Sequence, residues 1–332
     1  MQTMEWLADE KALRLIDQTK LPNSEEYLEV ATVDELVAAI QSLAVRGAPA
    51  LGASGGYGVA IAMAQADREG WDADRLQNEI DKIRDARPTA VNLAWGVQRV
   101  RPLVAAGFDT VVAEADKIAA EDRAANQKMA QLGADWVQTH TEREKLRVVT
   151  HCNTGALATT AIGTAYGVIA ELHRRGAIEL VYADETRPLL QGARLTSFEL
   201  TKDGIPHVIE ADGAAASTIL RGLADFAVIG ADRIAANGDT ANKIGSVSVA
   251  LACARAGIPF VVVAPESTVD RNTPTGDDIH IEQRDGAEVL SLGGVRTAPA
   301  GAEGFNPAFD VTPHDLIAAI VTEDGVWEPN AN

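Results

Sequence analysis

The chain has 332 residues, is 46% hydrophobic and carries a formal net charge of −19. The length fits two domains or one large α/β domain with an addition. The charge argues against nucleic acid and anionic membranes as partners, because a phosphate backbone calls for a basic footprint, but a few local cations suffice to hold one small phosphorylated substrate.

Cys152 and Cys253 are the two cysteines, so at most one disulfide exists, which fits a reducing cytosol. The first ten residues are acidic and lack the basic and apolar regions of a signal peptide. No apolar run reaches the roughly 18 to 20 residues of a membrane span without a charge or glycine cluster breaking it. A soluble, cytoplasmic protein is expected.

Residues 1–30 read as short strands and turns. Thr32 then opens a helix: Glu35 follows at capping-box spacing, and Val33, Leu36, Val37, Ile40 and Leu43 keep helical period. Arg46-Gly47-Ala48-Pro49 ends it. A helix over 51–66 follows, and its Gly52, Gly55, Gly56 and Gly58 suit close helix packing. They do not suit a dinucleotide loop, because no strand precedes them. Further helices are expected over 72–85, from Asn92, and over 110–139.

After residue 145 the rhythm changes. Short, β-branched, nearly uninterrupted runs at 146–150, 178–183, 206–210, 226–229 and 260–264 alternate with expected helices at 155–175, 191–202, 214–222 and 240–256. Strands buried on both faces read this way. The fold class is therefore α/β: a mainly helical N-terminal domain, 1–140, followed by a Rossmann-like parallel-sheet C-terminal domain, 141–332. A last helix is expected over 314–321.

In an open parallel sheet, ligands bind beyond the carboxyl ends of the strands. Those ends carry His151-Cys152-Asn153, then Asp184-Glu185-Thr186-Arg187 with Gln191-Gly192, then Gly230-Ala231-Asp232-Arg233 with Asn242-Lys243-Ile244-Gly245, then Pro265-Glu266-Ser267-Thr268. A thiol and carboxylates on one rim, without a hydride-carrying cofactor motif, suit proton transfer or nucleophilic chemistry on a small anion.

Each residue also has a plainer role. Cys152 would serve as a small buried hydrophobe, Asp232 as a turn cap, and Lys243 as half of a surface ion pair. Arg46 and Arg87 would serve as solvated arginines. His151 reads better as a hydrogen-bonded core histidine than as a general base, and Cys253 as packing. No zinc-ligand spacing is present.

Arg46-Gly47-Ala48-Pro49-Ala50, Arg87-Pro88-Thr89-Ala90-Val91-Asn92-Leu93, His151-Cys152-Asn153-Thr154-Gly155, Asp184-Glu185-Thr186-Arg187-Pro188 with Gln191-Gly192, Gly230-Ala231-Asp232-Arg233 and Asn242-Lys243-Ile244-Gly245 together resemble the methylthioribose-1-phosphate isomerase family. Asn306-Pro307-Ala308-Phe309-Asp310-Val311-Thr312-Pro313 is similar to that family's C-terminal signature, and the likeness runs essentially end to end. The resemblance implies interconversion of 5-methylthioribose 1-phosphate and 5-methylthioribulose 1-phosphate in methionine salvage, with no cofactor and no metal. It implies Cys152 and Asp232 as the catalytic pair, and Arg46, Gly47, Ala48, Arg87, Gln191, Asn242 and Lys243 as substrate-binding positions.

It also implies a homodimer, and a site that draws cations from both domains. The same fold serves the non-enzymatic regulatory subunits of the eukaryotic initiation-factor exchange complex, so fold alone does not decide function. The alternatives are an isomerase for 5-deoxyribose 1-phosphate or ribose 1,5-bisphosphate, and a sugar-phosphate-sensing regulatory subunit.

Overall fold

The computed structural model describes residues 3–88 and 91–329; Thr89 and Ala90 of the second motif lie outside the described residues. The chain forms two compact units. One comprises Met1–Ala125 and Gly155–Gly163, the other Asn126–Thr154 and Thr164–Asn332. The division falls inside a helix, at 125/126.

The first unit opens with an antiparallel sheet of β1 (Met4–Leu7), β2 (Ala12–Ile16) and β3 (Tyr27–Val30), in that order. Then come α1 (Val33–Gln41), α2 (Ala48–Glu69), α3 (Ala73–Arg84), α4 (Val91–Val100) and the long α5 (Phe108–His140), whose residues beyond 125 belong to the second unit. The expected capping box is present: the Thr32 hydroxyl accepts from the Glu35 N–H, and the Glu35 carboxylate accepts from the Thr32 N–H at 3.0 Å. Two orphan donors of α1 are thereby satisfied.

The glycines of α2 serve packing, as their sequence context indicates. A β-carbon on Gly55 would stand 2.5 Å from the Leu93 carbonyl oxygen, and one on Gly96 of α4 only 2.0 Å from that of Gly52. The two helices meet backbone to backbone, over a core that includes Leu36, Ile40, Ile61, Ile80, Ile83 and Val97.

The helix expected over 155–175 is shorter than its sequence suggests. Only α6 (Ala165–Arg174) forms, preceded by a 3₁₀ turn at Ala156–Ala158. Residues 155–163 belong to the first unit. There the Thr3 hydroxyl donates to the Ala156 carbonyl, the Gln18 amide to the Leu157 carbonyl, and the Thr160 N–H and hydroxyl to the Asp122 carboxylate. These side-chain partners replace helical bonds along a small, β-branched run that closes at Gly163, φ +97°.

The second unit is built on β4 (Leu146–Thr150), β5 (Ile178–Asp184), β6 (His207–Glu210), β7 (Phe226–Ile229), β10 (Phe260–Val263), β15 (Ala319–Thr322) and β16 (Gly325–Trp327). Their order is β16-β15-β10-β7-β4-β5-β6, parallel except for the hairpin edge strand β16. Val148, Val149, all of β7 and all of β10 are buried, as a sheet covered on both faces requires. α7 (Ser197–Lys202), α8 (Ala215–Leu220) and α9 (Ser246–Ala256) fill the connections, with a π-helical turn at Gly192–Thr196 before α7.

One expected helix yields its first residues to a strand, and another gives way to a turn and a strand. Residues 240–243 are β9 (Thr240–Lys243), in a second sheet with β8 (Arg233–Ala235), β11 (Val269–Asp270) and β14 (Phe309–Thr312), ordered β11-β8-β9-β14. Residues 314–321, expected as a helix, form a 3₁₀ turn and then enter β15, where Ala319, Ile320 and Val321 pair with Val261, Val262 and Val263. A short apolar run has no period of its own, and here sheet pairing decides its state. β12 (Ser291–Leu292) and β13 (Val295–Arg296) form a small outlying hairpin after α10 (Ala287–Leu290).

Candidate active site

The chain runs from β4 to β5 and β6 on one side of the sheet, then returns to β7 and proceeds to β10 and β15 on the other. The direction of winding therefore reverses between β4 and β7, which is where a doubly wound sheet opens a crevice at its carboxyl edge. Thr150 of β4 pairs with Val228 of β7. Cys152 follows Thr150 by two residues and Asp232 follows Val228 by four, so both stand just beyond the carboxyl ends of adjacent strands.

Cys152 is buried, 8% exposed, and held at φ +65°. Its N–H donates to the Thr186 hydroxyl at 2.9 Å, and its carbonyl accepts from the Thr196 hydroxyl at 2.6 Å. Thr186, itself at φ +65°, donates its own N–H to Asp212, and Leu190 stands at φ +59°. Left-handed backbone at non-glycine residues costs of order 1–3 kcal/mol each and persists only where surroundings enforce it. Three such residues cluster along the ends of β4 and β5. The neighbouring Asn153 amide donates to the buried Glu199 carboxylate at 2.5 Å, which fixes the turn from below.

Asp232 is exposed; its N–H donates to the Ala241 carbonyl, tying the β7–β8 turn to β9. Asn242 is buried on β9, its amide donating to the Ser246 hydroxyl at 2.9 Å. Lys243 ends β9 with its ammonium on the Ala308 carbonyl at 2.8 Å and 4.4 Å from the centre of the Phe309 ring. Gln191 is 6% exposed, and its Oε1 accepts no hydrogen bond. A buried amide oxygen without a donor is costly, and a ligand hydroxyl would satisfy it. Gly192 is forced beside it, because a β-carbon there would lie 1.7 Å from the Asp184 carbonyl oxygen. Cys253 is fully buried in α9, and burial alone pushes its thiol up to about 12, the inert packing state expected of it.

His151 is a core histidine with both ring nitrogens engaged, as its sequence setting suggested. Nδ1 lies 2.8 Å from Asp184 Oδ2, and Nε2 lies 2.8 Å from the Ile244 carbonyl oxygen. Burial by itself would lower the His151 pKa, but the Asp184 carboxylate beside it overrides this and raises it; burial raises Asp184 as well.

Asp212 completes a group whose ligand atoms lie within 4.8 Å of one another and could hold a metal ion. No sequence spacing announced it, since its members come from three separate strand ends. Both Asp212 oxygens already accept backbone N–H groups, from Thr186 and Arg187.

In the first unit, Arg46, Gly47 and Ala48 form the entrance to α2. Gly47 is its N-cap residue at φ +96° and supplies no side-chain cap, so the first N–H groups of a 22-residue helix are served by no capping side chain. Such an end favours an anion. Arg46 and Arg87 are both half-buried, Arg87 in the turn before α4.

The sequence profile of the initiation factor 2 subunit family matches residues 44–329. A probable bifunctional methylthioribose-1-phosphate isomerase/methylthioribulose-1-phosphate dehydratase of Nocardia farcinica is 52% identical over 96% of this chain, which spans 58% of that protein's length. The methylthioribose-1-phosphate isomerase of Pseudomonas savastanoi pv. phaseolicola is 48% identical over 99% of this chain and 92% of its own. The chain belongs to this isomerase family.

Among solved structures, 5-methylthioribose 1-phosphate isomerase from Pyrococcus horikoshii OT3 superposes with a TM-score of 0.88 at 40% identity, covering 99% of this chain and 93% of its own. A translation initiation factor eIF-2B subunit delta from A. fulgidus superposes nearly as well, with a TM-score of 0.87 at 39% identity over 99% and 96%. Fold likeness thus spans both kinds of protein, and the higher identities fall on the isomerases. Among the described residues, no helix is long and apolar enough to cross a membrane.

Proposed function

We propose that the chain interconverts 5-methylthioribose 1-phosphate and 5-methylthioribulose 1-phosphate, a step of methionine salvage, with Cys152 and Asp232 as its catalytic pair. The observation that supports the site assignment is that they follow the ends of β4 and β7, the two strands between which the sheet reverses its winding.

The substrate's phosphate sits on its anomeric oxygen, so simple ring opening releases no free aldehyde. The enzyme must first protonate the departing ring oxygen, then move a hydrogen from C2 to C1. Asp232 is the proton donor for the first step. Cys152 acts at the second, either as the base that removes the C2 proton on the way to an enol phosphate, or as a stabiliser of a direct hydride shift. The buried position of Cys152 keeps bulk water from the migrating hydrogen on either route.

Arg46, Arg87 and Lys243 hold the phosphate by charge, and the backbone at Gly47 and Ala48 supplies helix-end N–H donors to it. Gln191, through its open Oε1, and Asn242 orient the sugar hydroxyls. The preference for a methylthio over a deoxy group at C5 rests on contacts worth only a few kcal/mol. Specificity constants for the two sugars rank them.

Purified protein with 5-methylthioribose 1-phosphate gives the ketose carbonyl signal by carbon NMR. Absence of turnover by the wild type sinks the assignment, as does full turnover by a Cys152→Ala, Asp232→Asn double variant. Solvent deuterium found at C1 of the ketose after reaction in deuterium oxide establishes the enol phosphate route, since a hydride shift introduces none. The protein acts as a cytoplasmic homodimer. Leu220 of α8 and Leu251 of α9, 55% and 53% exposed, favour a covered face, and light scattering that finds a monomer refutes it.

A further inference from the structure

We propose that His151, braced by Asp184, is a positioning residue for the isomerisation: one imidazole fixes the thiol-bearing end of β4 against the end of β5 and against the turn that follows Lys243. This rests on the isomerase reading of the site and assigns it a further residue.

The ring spans three segments. Its own backbone precedes Cys152, its Nδ1 faces Asp184 at the end of β5, and its Nε2 reaches the carbonyl of Ile244, the residue after Lys243. A carbonyl only accepts, so Nε2 carries a hydrogen, and the second proton of the group lies between Nδ1 and Asp184. Gly245 completes the fit. At φ +110°, a β-carbon there would stand 2.8 Å from His151 Cε1, so the turn closes directly onto the ring. The same turn is held from the other side by Asp310, which accepts the Gly245 N–H at 2.8 Å.

Cys152 stands at φ +65°, a conformation that its own side chain disfavours and that its neighbours must enforce. His151 is the adjoining residue, and its side chain is 1% exposed and immobilised at both nitrogens.

His151 acts through Cys152 and Lys243 and does not touch substrate. Its ring lines a separate cavity of about 340 Å³ with Asp184, Asp212, Gly245 and Ser248, and none of Cys152, Asp232, Gln191, Asn242 or Lys243 lines that space.

The test compares wild type with His151→Ala, Asp184→Ala and Asp184→Asn, by isomerase kinetics and by the rate at which iodoacetamide alkylates Cys152 in the folded protein. Cys253 stays silent because it is buried with its pKa pushed up to about 12. His151→Ala and Asp184→Ala are expected to lower kcat by about 10- to 100-fold and to change the alkylation rate by more than about threefold. Asp184→Asn, whose amide donates to Nδ1 in place of the shared proton, is expected to stay within about threefold of wild type in both.

A lowered melting temperature with kcat and alkylation unchanged makes the pair merely structural and overturns the proposal. Should His151→Ala fail to fold, Asp184→Ala alone decides, because it leaves the ring and its bond to Ile244 in place. A wild type without isomerase activity refutes the isomerase reading instead, and the alkylation rates then still test the positioning.

Discussion

Gly47 lies so close to Ala158 that a β-carbon on it would stand 2.3 Å from the Ala158 carbonyl oxygen and 2.5 Å from its Cα. The contact is backbone to backbone, so no flexible side chain yields to relieve it. Gly47 also holds φ +96° and ψ 137°, a conformation that side-chain-bearing residues rarely adopt. Gly47→Ala is expected to cost about 2–4 kcal/mol of stability from strain and clash together, read as a lowered urea midpoint with an unchanged slope. Because Gly47 caps α2 beside Arg46, KM for the sugar phosphate rises as well. A variant as stable as wild type removes the case for a forced glycine.

Asp232 and Cys152 separate activity from stability. Asp232 is exposed, so Asp232→Asn is expected to alter stability by less than about 0.5 kcal/mol while lowering kcat by about 10²–10⁴-fold, the usual contribution of a positioned acid. Cys152→Ser keeps the size of the buried side chain and removes the thiol. It too is expected to lose most turnover with a native circular dichroism spectrum and little change in midpoint. Full activity in either variant removes that residue from the catalytic pair.

The two-sided burial of β4, β7 and β10 was legible in their runs of valine, isoleucine and phenylalanine, and with it the rim that carries Cys152 and Asp232. The capping box at Thr32 and the role of the α2 glycines were legible for the same reason: each is a local rule written in adjacent residues. β9 was not. Thr240-Ala241-Asn242-Lys243 is polar and runs straight into α9, and it becomes a strand only through β8 and through β14, nearly seventy residues away. Residues 155–163 were missed because their bonding partners, Thr3, Gln18 and Asp122, are distant in sequence. The His151–Asp184–Asp212 group was invisible on the same ground, since three strands must align before three side chains meet.

Asp310 closes the start of α9. One carboxylate oxygen accepts the Gly245 N–H at 2.8 Å and the Val247 N–H at 3.3 Å, from an adjacent strand in place of an N-cap side chain. Asp310→Ala leaves those donors unmet and is expected to cost about 1–2 kcal/mol, whereas Asp310→Asn, which keeps an acceptor, costs about half of that. Hydrogen exchange gives the sharper measurement: the amides of Gly245 and Val247 lose protection in Asp310→Ala and keep it in Asp310→Asn. Equal protection in both variants excludes Asp310 as the cap.

Asp239 predicts a specific acid response. Burial pushes its carboxyl upward, but hydrogen bonds from the Asn237 amide, the Gly276 N–H, and the His314 ring and N–H outweigh this and hold it at about 2. An aspartate with a depressed folded pKa stabilises the fold above its unfolded value, about 3.9, and loses that contribution as pH falls through the folded value. At pH 6, Asp239→Asn is therefore expected to be less stable than wild type by about 1–2 kcal/mol. The gap narrows between about pH 4 and pH 2, because wild type acquires a proton there and the variant does not. Urea midpoints of the two proteins at pH 6, 4 and 2.5 measure it. A gap that stays constant over that range shows that Asp239 titrates at its ordinary value, and that its four donors do not favour the charged form.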